Sequence, residues 1–208
     1  KKIELYELAK LIIRGGFPEN ISVSEKDISI IPQSYLESII KKDIHERKDK
    51  KRDSIKMRML IRSLARNESS TASLDTIIKD ILEDNESENK IENRITITDY
   101  LSVLQDLHLL NNIEAFSINY RSSKRVGKTS KRHFVDPSLA CSMLGLKQEH
   151  LIKDLELFGF MFESLVIRDL RVYIEHLDGR IYHFHDNNTG EEVDAIVELR
   201  DGNYGAIE

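Results

Sequence analysis

Three carboxylates near the end of this 208-residue chain could do chemistry together: Glu163, Asp194 and Glu208. Asp194 interrupts an apolar strand pattern, Val193 to Leu199, where an acid is costly unless something compensates it, and a metal ion is one such compensation. Asp201-Gly202 then turns the chain, and Tyr204 to Glu208 returns antiparallel. A three-residue loop (Arg200, Asp201 and Gly202, the glycine at a positive-φ bulge) sets Asp194 opposite Glu208 on one face. A four-residue loop puts them on opposite faces, since a one-residue slip flips the side chains. Carboxylates paired across strands, about 5 Å apart at Cβ, can share a hard cation such as Mg²⁺. A solvated edge hairpin with ordinary surface acids fits the same pattern, and the residues alone leave both readings open.

The elements that must position these acids follow from periodicity. Ile3, Leu5, Leu8, Leu11, Ile12 and Ile13 form a helical stripe ended by Gly15-Gly16 and Pro18. A second helix is expected from Pro32, with Tyr35, Leu36, Ile39, Ile40 and Ile44 inward. Helices over 54–64, 71–82 and 96–107, then strands over 109–118 and 131–135, give the order of a winged helix-turn-helix. Thr96 or Thr98 can cap the third of these helices. Asp136-Pro137-Ser138 opens a short helix through Leu144, stopped at Gly145. A long helix over 155–177 carries Phe158, Met161, Phe162, Leu165, Val166 and Leu170 as its core stripe, with Glu163 on another face.

Charge decides where nucleic acid could touch. The net charge is −5, so any such contact must come from local patches. The third helix presents Asp99, Ser102, Gln105 and Asp106, the wrong sign for a phosphate-lined groove. The wing presents Arg121, Lys124, Arg125, Lys128, Lys131 and Arg132 with no acid among them, and is the phosphate-contact candidate. The basic run over 41–66 fits a phosphate- or ATPase-facing surface, or a solvated helical face. Gly127-Lys128-Thr129-Ser130 is no phosphate loop: Ser122 stands where the first glycine is required, and a strand follows instead of a helix. His183 and His185 share one strand face but have no third metal ligand nearby in sequence. The single cysteine, Cys141, excludes a disulfide framework and fits a reducing cytoplasm. No apolar run approaches membrane-spanning length.

Several ordered motifs carry a family resemblance. Arg132 to Ala140 (RHFVDPSLA), Gly159 to Val166 (GFMFESLV), Glu192-Val193-Asp194 and Ala206-Ile207-Glu208, with Gly15-Gly16-Phe17-Pro18-Glu19 upstream, resemble prokaryotic AAA-type ATP-binding proteins that carry domain-of-unknown-function family 4143. The resemblance implies an α+β chain in three parts. Residues 1–52 would be a helical linker from the end of the ATPase lid, 53–136 a winged helix-turn-helix, and 137–208 a restriction-endonuclease-like core lacking its C-terminal end. It implies Asp194 and Glu208 as metal-binding carboxylates for Mg²⁺ and Glu163 as an accessory acid. The lysine of such a site would fall two residues beyond Glu208. ATP would belong only to an ATPase module preceding this chain, which reads as a fragment of a larger cytoplasmic protein. The implied function is nucleic-acid handling by Mg²⁺-dependent phosphodiester hydrolysis. The alternative is an inactive scaffold or a module regulating the ATPase by protein contact. Expected partners are the protein's own ATPase module, DNA through the wing, and further copies of the chain, but no membrane.

Overall fold

The computed structural model describes residues 3–43, 53–83, 94–116, 129–186 and 189–208. Among them are eight α-helices and a four-stranded mixed sheet of order β1-β2-β3-β4. Helix α1 (Leu5–Arg14) buries Ala9, Ile12 and Ile13, whereas Ile3, Leu5 and Leu11 of the expected stripe face outward. It stops at Gly15, whose φ of 68° suits a residue without Cβ. Helix α2 (Ile30–Ser38) begins before Pro32, which occupies its first turn, where a missing N–H costs nothing; a π-turn over Ile39–Asp43 follows.

Helices α3 (Ser54–Arg66), α4 (Leu74–Glu83) and α5 (Arg94–Asp106) pack through Met57, Leu60, Ile61, Leu64, Ile77, Ile81, Ile97, Val103 and Leu104. Asp53 caps α3 by accepting from the N–H groups of Ile55 and Lys56. Neither threonine caps α5: the helix starts earlier, and the Thr98 hydroxyl donates back to the Arg94 carbonyl at 2.9 Å. Among the described residues, the two strands expected after α5 meet only in single bridges, Leu110 with Phe134 and Ile113 with Lys131; Ser70 pairs with Arg132 on the other side. The chain then turns into β1 (Glu114–Ala115), which pairs parallel with β2 and so belongs to the C-terminal sheet.

Helix α6 (Pro137–Leu144) is capped by Asp136 and ends at Gly145 in the left-handed region, as its sequence demands. After α7 (Gln148–Lys153), the long helix α8 (Leu155–Glu175) serves two cores. Phe158, Met161 and Leu165 join the helical core; Ile167, Leu170 and Ile174 cover the sheet with Ile113, Ile181 and Ala195. Phe162, placed in the expected stripe, is instead partly exposed. Strands β2 (Arg180–His185), β3 (Glu192–Glu198) and β4 (Tyr204–Ile207) run antiparallel. The β3–β4 loop has three residues: the N–H of Leu199 donates to the Asn203 carbonyl, and Gly202 sits at φ 84°.

Candidate functional site

Lys131 lies at the end of a bridge to Ile113 that fixes its backbone, with N–H···O bonds in both directions at 2.9 and 3.0 Å. Its side chain is 13% exposed, and its ammonium reaches Glu163 Oε1 at 2.6 Å and Asp194 Oδ1 at 2.9 Å. Helix α8 supplies the first acid and strand β3 the second. The three side chains line a cleft of about 250 Å³ with Ser69, Ser70, His183 and Glu192.

The strand aims Asp194 by an irregularity. Between β2 and β3 the register shifts, Tyr182 pairing with Ile196 but Phe184 with Val193. Val193 and Ile196 therefore both pack with Phe116 and Tyr182, away from α8, while Ala195 packs under α8. Simple alternation would send Asp194 to the Ile196 face. The bulge places Asp194 and Ala195 on the same side, and Asp194 meets Lys131 there.

Glu208 takes a different position. The β3–β4 register, Ala195 with Ile207, next sets Asp194 against Glu208. Tyr204, however, lies 5.3 Å from Phe116, on the face away from α8, and continued alternation carries Glu208 to that face too. Glu208 is exposed and does not line the cleft. Glu163 and Asp194 thus share the cleft, which Glu208 does not line. Among the described residues no three His, Cys, Asp or Glu side chains converge as a metal-binding group.

Behind the cleft lies a buried polar layer that sequence reasoning missed. Glu68, 3% exposed, accepts from the Phe134 N–H at 3.0 and 3.2 Å and from the Ser164 hydroxyl at 2.5 Å. Burial pushes its carboxyl up to about 8 against those hydrogen bonds. His133, 1% exposed, sits between Glu68 and Glu163; its Nε2 is 3.8 Å from Glu163 Oε1 and has no hydrogen-bond partner among the described residues. Burial, with Lys131 and Arg171 adding positive charge, holds this imidazole down to about 3, so it is neutral at pH 7. Burial also raises Glu163 to about 7 against the pull of Lys131. For Lys131 burial works the other way, but the two carboxylates outweigh it and hold the ammonium above the ordinary lysine value.

Of the wing cations, Arg121, Lys124, Arg125 and Lys128 lie outside the described residues. The two that are described turn inward: Lys131 to the acids, and Arg132, half-buried, donating from Nε to the Ala72 carbonyl at 2.8 Å. Lys131 thus commits its ammonium to the two acids, whereas Arg132 commits only its Nε–H. His183 is buried, with Nε2 3.2 Å from the Thr129 carbonyl, and His185 lies 3.6 Å from Glu192.

A family profile described as domain of unknown function DUF8612 matches residues 5–150, well over half of the chain. The chain belongs to that family. A second profile, domain of unknown function DUF4143, matches residues 158–208, which hold the motifs at 159–166, 192–194 and 206–208; those at 15–19 and 132–140 fall in the DUF8612 match instead. No curated protein and no solved structure is significantly similar to the chain. The cleft is therefore composite: Lys131, with Glu68 and His133 behind it, comes from the DUF8612 portion, Glu163 and Asp194 from the DUF4143 match.

Proposed function

We propose that this chain is the C-terminal portion of an AAA-type ATPase and carries a nucleic-acid-handling, endonuclease-like domain. The observation behind this reading is the convergence of a helix acid, Glu163, and a bulge-directed strand acid, Asp194, in a polar cleft beside a lysine. Two carboxylates are the donor set a hard cation takes, and Asp194 with Glu163 would hold Mg²⁺. Bound there, Mg²⁺ would supply a water of lowered pKa and offset phosphate charge. The chain's own residues do the positioning: α8 and β3 hold the acids rigidly, and neutral His133 keeps the rear of the cleft free of further charge. The three helices α3 to α5 with their short bridges support a winged-helix arrangement, whose wing would track the phosphate backbone.

A specific observation favours a second reading, an inactive scaffold or regulator of the ATPase. The ammonium of Lys131 already bridges the acid pair from within and offsets one of its two charges. Incubating the protein with single- and double-stranded DNA and Mg²⁺ or Mn²⁺, beside its Asp194→Ala variant, separates the readings. Metal-dependent cleavage that Asp194→Ala reduces to background supports the nuclease. Equal cleavage by both proteins, or none by either, leaves the scaffold.

A further inference from the structure

We propose that Lys131 is a tethered counter-cation: its ammonium and a divalent metal ion exclude one another from the Glu163–Asp194 pair. The inference rests on the metal-binding reading of that pair and adds what controls it. The ammonium lies 2.6 and 2.9 Å from one oxygen of each acid, in the place between the two carboxylates that a shared cation, with its oxygens at about 2.1 Å, would take. A metal ion between the same two acids would stand within a few ångströms of the ammonium, where two positive centres repel strongly.

The lysine is held, not merely nearby. Its backbone is bridged to Ile113, and the next residue is bridged to Ser70. Its side chain is as buried as that of Glu163. An independent feature marks the site as incomplete: Nε2 of His133, almost wholly buried, faces Glu163 Oε1 at 3.8 Å without a hydrogen-bond partner among the described residues. The DUF8612 portion would thus set the metal affinity of a site whose acids belong to the DUF4143 match.

Titration of the full chain with Mn²⁺, followed by the loss of the free-ion paramagnetic resonance signal, tests this. Lys131→Met should bind Mn²⁺ more tightly than the wild type by roughly tenfold or more, since a unit charge a few ångströms away is removed. Adding Asp194→Asn should abolish the gain. Equal or weaker binding by Lys131→Met overturns the proposal alone. If none of the proteins binds Mn²⁺, the metal-binding reading falls with it. Tighter binding without DNA cleavage keeps the proposal and sinks the nuclease. Should Lys131→Met misfold, the wild type decides: amine acylation mapped by mass spectrometry should label Lys131 faster with millimolar Mg²⁺ than without. A labelling rate that metal leaves unchanged overturns the proposal.

Discussion

At the scale of single residues, Glu68 shows what a buried acid does to a fold. Its carboxyl is raised to about 8 by burial, so the folded chain keeps its proton while an unfolded chain gives it up near pH 4.5. Below pH 4.5 both states are protonated and the group has no pH-dependent effect. Between pH 4.5 and 8 the unfolded state alone ionises, so stability falls steadily, by up to about 1.4 kcal/mol per pH unit. Above pH 8 the loss is complete. Glu68→Gln keeps an oxygen for Ser164 and the Phe134 N–H and cannot ionise. Its stability relative to wild type should therefore improve by about 2–3 kcal/mol between pH 5 and pH 7.5, read from urea midpoints at each pH. A gap independent of pH would mean that Glu68 is ionised in the fold. None of this was legible in the sequence, where Glu68 follows α3 as one more polar residue. Lys131 was equally opaque: among wing cations it looked like a phosphate contact, and only tertiary pairing shows the two acids it serves.

At the scale of elements, local signals were readable and non-local ones were not. Asp136-Pro137 and Gly145 bracket α6 because caps act within one turn. The Asp201-Gly202 loop has three residues because one glycine at positive φ closes it. The bulge that aims Asp194 depends on how β2 pairs with β3, and no pattern within β3 announces it. The Gly15-Gly16 pair, by contrast, has a reason the structure supplies. Gly15, at φ 68°, presses against the start of α6: an added Cβ would lie 2.8 Å from Asp136 Oδ1 and closer still to Ser138 Oγ. Gly16 donates its N–H to Asp136 Oδ2 at 2.7 Å, and Arg168 of α8 reaches that oxygen at 2.9 Å. The pair docks α1 onto the joint between α6 and α8. Gly15→Ala should cost about 2–4 kcal/mol, combining positive-φ strain with overpacking. Gly16→Ala, whose Cβ would meet Asp136 at 3.3 Å without that strain, should cost about 1 kcal/mol. Thermal melts of the two variants check the order; a reversed order would place the tight contact at Gly16.

At the scale of the whole molecule, two family matches do not make two folding units. The gap between them, residues 151–157, runs into the first turn of α8, yet Phe158, Met161 and Leu165 of that helix complete the core built by α1 to α6. In the other direction, β1 leaves the first match to become an edge of the second match's sheet. Polar ties cross the same seam: Glu68 with Ser164, Asp136 with Arg168, Lys131 with Glu163 and Asp194. Residues 158–208 on their own would expose Phe158, Met161 and Leu165 at the start of α8 and lose β1 from the sheet, a loss of apolar burial that a small remaining core is not expected to offset. The described chain should therefore unfold in one transition, with calorimetric and van't Hoff enthalpies equal, and residues 158–208 expressed alone should lack dispersed amide resonances. Two resolved heat-capacity peaks, or a folded 158–208 fragment, would show that the seam is an interface between independent domains. A coupled fold is also what the Lys131 mechanism needs, because only then does the position of one match's strand set the charge in the other's cleft.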